Sequence, residues 1–167
     1  MNAYYEGFDL YPRQTAAELA ASLASTSLGE AIRQYRVAVA DDGAIVAGAA
    51  VTERFKLMTD HVDRIPRPLA LIGRVVPIFP PDRVIRSIEL SLAWYSPGHA
   101  ASGRQLWDAI RFEWRDRATH VVYLADRRGS LMEVFHVGRT LTPRLELVIP
   151  VQSPVRHDED RPIYFWR

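Results

Sequence analysis

Residues 96–104 read Ser-Pro-Gly-His-Ala-Ala-Ser-Gly-Arg, a run whose residue types suit the gripping of a phosphate. A backbone phosphate site needs N–H groups converging at the mouth of a helix, where the helix dipole adds partial positive charge. It also needs small residues, so that the ligand can approach the main chain closely. Gly98, Ala100, Ala101, Ser102 and Gly103 are small, and Arg104 can add a full charge. The same run suits an ordinary strand-to-helix turn whose small residues serve packing, and spacing alone leaves both readings open. His99 lies inside the run, where it either caps the helix or touches the ligand.

A second candidate is Glu89. A carboxylate of tuned pKa can act as a general base, taking a proton directly or through a water. Glu89 sits in a strand pattern where Ile88, Leu90, Leu92 and Trp94 alternate with Glu89, Ser91 and Ala93. It is either that base or an outward-facing solvated acid. Asp60 and His61 fall beyond the hairpin on a segment that could cover a site. The five histidines are scattered, with no H-x-x-x-H spacing and no carboxylate cluster, so no metal site is expected. The chain has no cysteine, which excludes disulfides, thiolate metal sites and thiol catalysis.

The elements that would position these residues follow from pattern. Residues 1–14 are aromatic and turn-rich, with Tyr4, Tyr5, Phe8 and Tyr11 before Pro12, and read as a docked segment with a short strand. Thr15-Ala-Ala-Glu18 is a capping box opening a helix, with Leu19 and Leu23 on one face. Ser27-Leu-Gly-Glu30 is a second box, so two short helices are expected, broken at Ser25-Thr26-Ser27. Residues 35–40 and 45–55 form a hairpin across Asp41-Asp42-Gly43. Residues 57–86 hold Pro66, Pro68, Pro77, Pro80 and Pro81 and read as an apolar insertion, with turns of helix over 69–76. It either covers the core or lines a pocket.

A strand over 85–95 then feeds the loop and a helix to about Ala118, with Leu106, Ile110 and Trp114 on its inner face and Ser102/Gln105 as a third capping box. A buried-type strand over 119–125, a helix capped by Ser130 and ending near Gly138, and strands over 145–151 and 163–166 complete the chain. A strand–helix–strand step in a hairpin-rich sheet makes a mixed α/β (α+β) layer fold.

The length of 167 residues suits one domain that buries roughly two thirds of its unfolded surface. A net charge of +1, with arginines spread among acids, gives no field for nucleic acid or an anionic membrane. No signal peptide and no run near the ~18 apolar residues of a membrane span is visible, so the cytoplasm is the expected compartment. Lys56 is the only lysine beside the arginines, a bias that reflects either anion gripping or genome composition.

Taken with this element order, the loop resembles that of the GNAT superfamily, the acyl-CoA-dependent N-acyltransferases. The resemblance spans residues 15–151. In that family the fourth strand leads into a Q/R-x-x-G-x-G/A loop that cradles the coenzyme A pyrophosphate, and a Leu-rich helix follows. Trp94-Tyr-Ser-Pro97 resembles the strand exit, and Ala101-Ser-Gly103-Arg-Gln-Leu106 resembles G-x-G-R-x-L. The loop here is shorter, Ala101 takes the place of the first glycine, and Gly98 falls where Gln or Arg is expected. The resemblance implies a coenzyme site at Trp94, Tyr95, Ser96, Gly98, His99, Ala100, Ala101, Ser102, Gly103 and Arg104, with Ser130 beside it.

It also implies that residues 120–126 are the fifth strand, which splays from the fourth to admit the pantetheine arm. Many members carry a tyrosine on the next helix that protonates the departing thiolate. This chain has Phe135 there, which cannot donate a proton, so that role is either empty or filled by Tyr123, Ser130 or His136, with Glu89 implied as the base.

The implied activity is acyl transfer from acetyl-CoA or another acyl-CoA to a small-molecule or peptide amine, within a single domain over 1–167 that carries the insertion over 57–86. Two alternatives stand beside it. One is a catalytically silent domain of the same fold that binds acyl-CoA or a protein partner as sensor or scaffold. The other is an interaction module that forms a homodimer through a sheet edge short of one strand.

Overall fold

The computed structural model describes residues 1–24, 26–27, 29–65, 79–135 and 160–164. The expected helical turns over 69–76, the strand over 145–151, the helix end near Gly138 and His136 lie outside them. In chain order the elements are α1 (Asn2–Tyr5), α2 (Ala16–Ala24), β1 (Thr26–Ser27), β2 (Glu30–Ala31), β3 (Arg33–Val39) and β4 (Ile45–Thr52). After these come β5 (Asp60–His61), β6 (Val84–Ile85), β7 (Ser87–Tyr95), α3 (Ala100–Trp114) and β8 (His120–Tyr123), with 3-10 turns at Arg54–Lys56 and Ser130–Glu133.

A four-stranded sheet runs in the order β3-β4-β7-β8, antiparallel except for the parallel β7–β8 pair. The chain is thus a mixed α/β structure around a mixed sheet. The hairpin forms at the Asp-Gly turn, where Gly43 has φ +84° and the Asp42 carboxylate accepts the Ala44 N–H at 3.0 Å. The first capping box is present reciprocally: the Glu18 N–H donates to the Thr15 hydroxyl at 3.1 Å, and the Thr15 N–H to the Glu18 carboxylate at 2.7 Å.

Several expectations are corrected. The second capping box is no helix: Ser27 and Glu30 face each other in the β1–β2 pair, and Gly29 at φ +82° is left-handed backbone that interrupts helical winding. The N-terminal segment holds a four-residue helix, not a strand, and meets the chain's other end through a bridge between Asp9 and Ile163 and the packing of Tyr5 and Tyr11 on Tyr164. Helix α3 starts at Ala100 after His99, so Ser102 lies within the first turn and caps nothing. The strand after it is only four residues long and half-exposed, not of the buried type. Ser130 opens a 3-10 turn without a side-chain cap.

The inner face of α3 presents Gly103, Trp107, Ile110 and Trp114 to the sheet, a stripe shifted from the expected Leu106, Ile110 and Trp114. The alanines of β4, Ala47 and Ala49, leave room for the two indoles beside Val51, Ile88 and Leu90. Burying a tryptophan removes about 150–250 Å², or ~4–6 kcal/mol of gross transfer free energy, so these two rings dominate the face.

The alternation expected along 88–94 breaks in the middle of β7. Gly48 pairs with Trp94 but Ala50 pairs with Ser91, so β7 carries one extra residue in a bulge at Leu92, whose φ is +49°. Ile88, Leu90, Ala93 and Tyr95 therefore face α3, whereas Leu92 packs on the other face with Tyr5, Ala50 and Tyr164. The ends of the insertion are clasped: Asp60 pairs with Ile85 and His61 with Val84.

Candidate functional site

Strands β7 and β8 pair over four residues, from Ser87–His120 to Leu90–Tyr123, and then part. β7 continues to Tyr95 without β8 beside it. A cavity of about 40 Å³ lies where they separate, walled by residues 90–93 on one side and residues 123–126 on the other. Leu131 and Phe135 border it toward α3, and Tyr5, Phe8 and Tyr164 border it from the opposite face.

Both expected catalytic residues line this cavity. Glu89 is half-buried, and its carboxylate lies 3.5 Å from the Arg54 guanidinium. The Tyr123 ring packs against Phe135 with centroids 4.2 Å apart, and Trp107 meets both rings edge-on. Phe135 is thus a core ring in an aromatic stack.

Ser91, two residues beyond Glu89, also lines the cavity, and its buried hydroxyl has no hydrogen-bond partner among the described residues. The i, i+2 spacing on one strand was the available signal for Ser91. Tyr5, Phe8 and Tyr164 come from opposite ends of the chain, and no local pattern announced them. The Tyr5 phenol donates to the Ala93 carbonyl, a group on the stretch of β7 that β8 leaves unpaired. Burial pushes the Tyr5 phenol far up, and the Tyr164 phenol up as well, so both stay neutral.

The expected coenzyme residues separate into three groups. In residues 96–104, the His99 N–H donates to the Ser96 carbonyl at 2.9 Å and the Gly103 N–H to the His99 carbonyl at 3.1 Å. Among the described residues no acceptor engages the N–H groups of Gly98, Ala100, Ala101 and Ser102. Gly98 has φ +80° and open space around it, and Ala101 is exposed. These four amides and the α3 dipole fit a phosphate or diphosphate. Gly103 faces inward: a Cβ there would stand 3.2 Å from the Val134 side chain, so its smallness serves packing.

The second group is a cluster beneath the helix start. The Tyr95 hydroxyl donates to the Ser130 carbonyl at 3.2 Å and lies 3.4 Å from the Glu133 carboxylate. The Ser130 hydroxyl is engaged with the Tyr4 phenol at 2.8 Å, and burial pushes that phenol up to about 12. Arg104 donates through Nε to the Glu133 carbonyl at 3.3 Å, which ties it to the 3-10 turn. The third group is Trp94 alone. The bulge turns it to the opposite face, where its indole N–H donates to the Tyr35 hydroxyl at 2.7 Å.

A second, apolar cavity of about 20 Å³ lies under the helix start, and Leu131 and Phe135 line both cavities. Gly98, Ala100, Ala101 and Ser102 line neither cavity. Asp60 and His61 are paired in β5, and neither lines the 40 Å³ cavity. Among the described residues no group of three or more His, Asp or Glu side chains is placed to hold a metal ion. Within the same residues no helix is long and apolar enough to cross a membrane. Compared with protein-family models, with curated proteins and with solved structures, the chain matches none.

Proposed function

We propose that this chain is a GNAT-type acyltransferase that moves an acyl group from acetyl-CoA or a related acyl-CoA to an amine. The observation that carries the reading is the parting of β7 from β8 beyond Leu90–Tyr123, beside a helix start whose first amides have no acceptor among the described residues. A thioester arm needs a slot between strands, and its diphosphate needs such amides.

On this reading the amides of Gly98, Ala100, Ala101 and Ser102 hold the diphosphate. Backbone N–H groups of the bulged stretch around Leu92 to Tyr95 face the oxyanion that forms in the slot. The positive φ of Leu92 is the kind of backbone strain that persists where the surroundings fix an unusual direction for the main chain. The amine nitrogen bonds to the thioester carbonyl carbon and the C–S bond breaks. The proton leaving nitrogen passes to Glu89 or to a water it orients, and the departing thiolate takes a proton from Tyr123. An amide and the free coenzyme thiol are the products.

Calorimetric titration with acetyl-CoA tests the reading directly. Saturable heat in the micromolar to millimolar range is expected, and none at millimolar ligand removes it.

A second reading is favoured by Phe135. The position expected to hold a thiolate-protonating tyrosine is a buried phenylalanine stacked on Tyr123. The chain would then bind acyl-CoA without turnover, as a sensor or scaffold. Binding of acetyl-CoA with no coenzyme thiol released across an amine panel would select this reading over the first.

A further inference from the structure

We propose that the chain forms a two-fold homodimer through the outer edge of β3, which pairs antiparallel with β3 of a second copy about Val37 and joins two four-stranded sheets into one. The proposal stands on the sheet alone and is independent of the transferase reading.

Among the described residues the edge is open. β3 is the last strand on its side of the sheet, and β4 is its one neighbour among those residues. In an antiparallel pair, alternate residues aim their N–H and C=O groups at the neighbour and the others aim away. The Glu53 N–H donates to the Ile32 carbonyl at 2.8 Å, and the Ala40 N–H donates to the Ala44 carbonyl at 2.9 Å. At both ends of β3 the even-numbered residues therefore face β4. The extra residue of the hairpin bulge, Val46, lies on β4, which leaves the alternation along β3 unbroken. Arg33, Tyr35, Val37 and Val39 thus aim their main chain outward, and no described residue bonds the main chain of Tyr35, Val37 or Val39 there.

Sheets that must stay apart blunt such an edge with lysine, proline or a charge in mid-strand. Here the outward positions hold valines, Val37 at 42% and Val39 at 58% exposed. The mid-strand charge, Arg36, is turned onto α3, where its Nε donates to Glu113 at 3.1 Å.

Self-complementarity names the occupant. Residues 33–41 read Arg-Gln-Tyr-Arg-Val-Ala-Val-Ala-Asp. Antiparallel pairing centred on Val37 sets Val37 opposite Val37, Tyr35 opposite Val39 and Arg33 opposite Asp41, the last two pairs occurring twice by symmetry. Aromatic–β-branched and opposite-charge pairs in facing positions stabilise adjoining strands, and valine is a strong strand former. The Arg33 guanidinium rests on the hydroxyls of Thr52 and Ser22 at 3.0 and 2.7 Å, and the exposed Asp41 of the second copy adds a charge-assisted bond. The pairs among Tyr35, Val37 and Val39 exchange about six main-chain hydrogen bonds.

Other registers are worse. Sliding by two residues one way sets Arg36 directly against Arg36 of the second copy, and like charges in that position repel. Sliding the other way carries Arg33 past Asp41. Charge selects the register centred on Val37.

Sedimentation velocity of the full chain, from low micromolar to near-millimolar concentration, is expected to show a species of twice the monomer mass that grows with concentration. Val37→Lys places two ammonium groups together at the axis. Val37→Pro removes an outward N–H while leaving the β3–β4 ladder whole. Each should weaken association at least about tenfold. Asp41→Arg should weaken it roughly fivefold or more, through two like-charge pairs. Asp108→Arg makes the same change of charge on the exposed side of α3 and should leave association within about twofold. Circular dichroism checks the folding of each variant, and Val37→Lys carries the test should Val37→Pro unfold.

Hydrogen exchange read by NMR gives an independent measure. The amides of Tyr35, Val37 and Val39 should gain protection as concentration rises, while those of Gln34, Arg36 and Ala38 are protected throughout. A chain that stays monomeric at the highest concentration overturns the proposal, as does a dimer that neither Val37 variant weakens. Protection of the three edge amides within the monomer would give the edge to residues of the same chain, and overturns it equally. Association of Asp41→Arg equal to that of the parent chain would overturn the pairing centred on Val37.

Discussion

The indole N–H of Trp114 donates to a carboxylate oxygen of Glu53 across 2.7 Å, and this bond ties the last turn of α3 to the end of β4. Glu53 is only 1% exposed. Lys56 reaches its other oxygen at 2.8 Å, and Arg117 lies 3.2 Å from the oxygen that Trp114 uses. Replacing Glu53 with Ala would leave a buried indole N–H without an acceptor and a void beside it. The expected cost is about 2–4 kcal/mol, with a smaller loss for Glu53→Gln, whose amide oxygen can still accept from Trp114. Urea unfolding monitored by tryptophan fluorescence measures both, and a larger loss in the Gln variant would contradict this account.

The same carboxylate sets an acid limit. Burial pushes the Glu53 carboxyl up, but the Lys56 ammonium, the Trp114 N–H and Arg117 outweigh that and hold it below its ordinary 4.5. A carboxyl whose pKa is lower folded than unfolded contributes stability above its unfolded value and loses it as pH falls through the folded one. Asp126 acts in the same direction, held down mainly by Arg128. These two carboxylates should therefore draw unfolding free energy down below about pH 4.5. That follows a decline that begins at higher pH from the half-buried His120 imidazole and the Met1 ammonium, both also held below their ordinary values by burial. Urea titrations at stepped pH should give a shallower decline for Glu53→Gln than for the parent chain.

Gly48 lies under the Trp94–Tyr35 hydrogen bond. A Cβ there would stand 2.7 Å from the indole nitrogen and 2.8 Å from the Tyr35 ring, both rigid groups. Gly48→Ala should cost roughly 1–3 kcal/mol, as overpacking does. Adding Trp94→Phe, which removes the indole nitrogen, should recover part of the loss. A double-mutant cycle reads the coupling directly, and strict additivity would count against the clash.

Ala101 separates helix stability from anion binding. It is exposed, in the first turn of α3, next to amides that no described residue accepts. Ala101→Asp should stabilise the fold by about 0.3–1 kcal/mol through the helix dipole. The same change should weaken acetyl-CoA by about tenfold or more, because the new carboxylate repels the diphosphate and competes for its amides. Thermal unfolding and calorimetry on one preparation report the two effects, and a gain in both would argue against a phosphate socket.

Local chemistry was legible in the sequence. The Thr15–Glu18 box, the Asp-Gly hairpin, the strand over 85–95 and the helix after the loop all follow from backbone preferences over a few residues. The second box failed because a capping signature describes how a helix would start, not whether Gly29 lets it continue. The alternation along β7 misled for a related reason. A bulge inserts one residue without leaving a compositional mark, so Trp94 exchanged faces unseen.

Glu89 and Tyr123 could be named in advance because each sits in a recognisable strand. Their convergence on one cavity depends on the β7–β8 register, which no local spacing encodes. Glu53 was invisible for the same kind of reason: nothing around it in sequence says that Trp114 will arrive there. The rings that close the cavity come from both termini, and only tertiary docking brings them together.

The clasp formed by β5 and β6 closes just before β7 begins, reinforced by the bond from the Val62 N–H to the Arg83 carbonyl at 2.9 Å. Four residues in register therefore fix where the main chain enters β7, so Glu89 and Ser91 hold their station relative to the clasp.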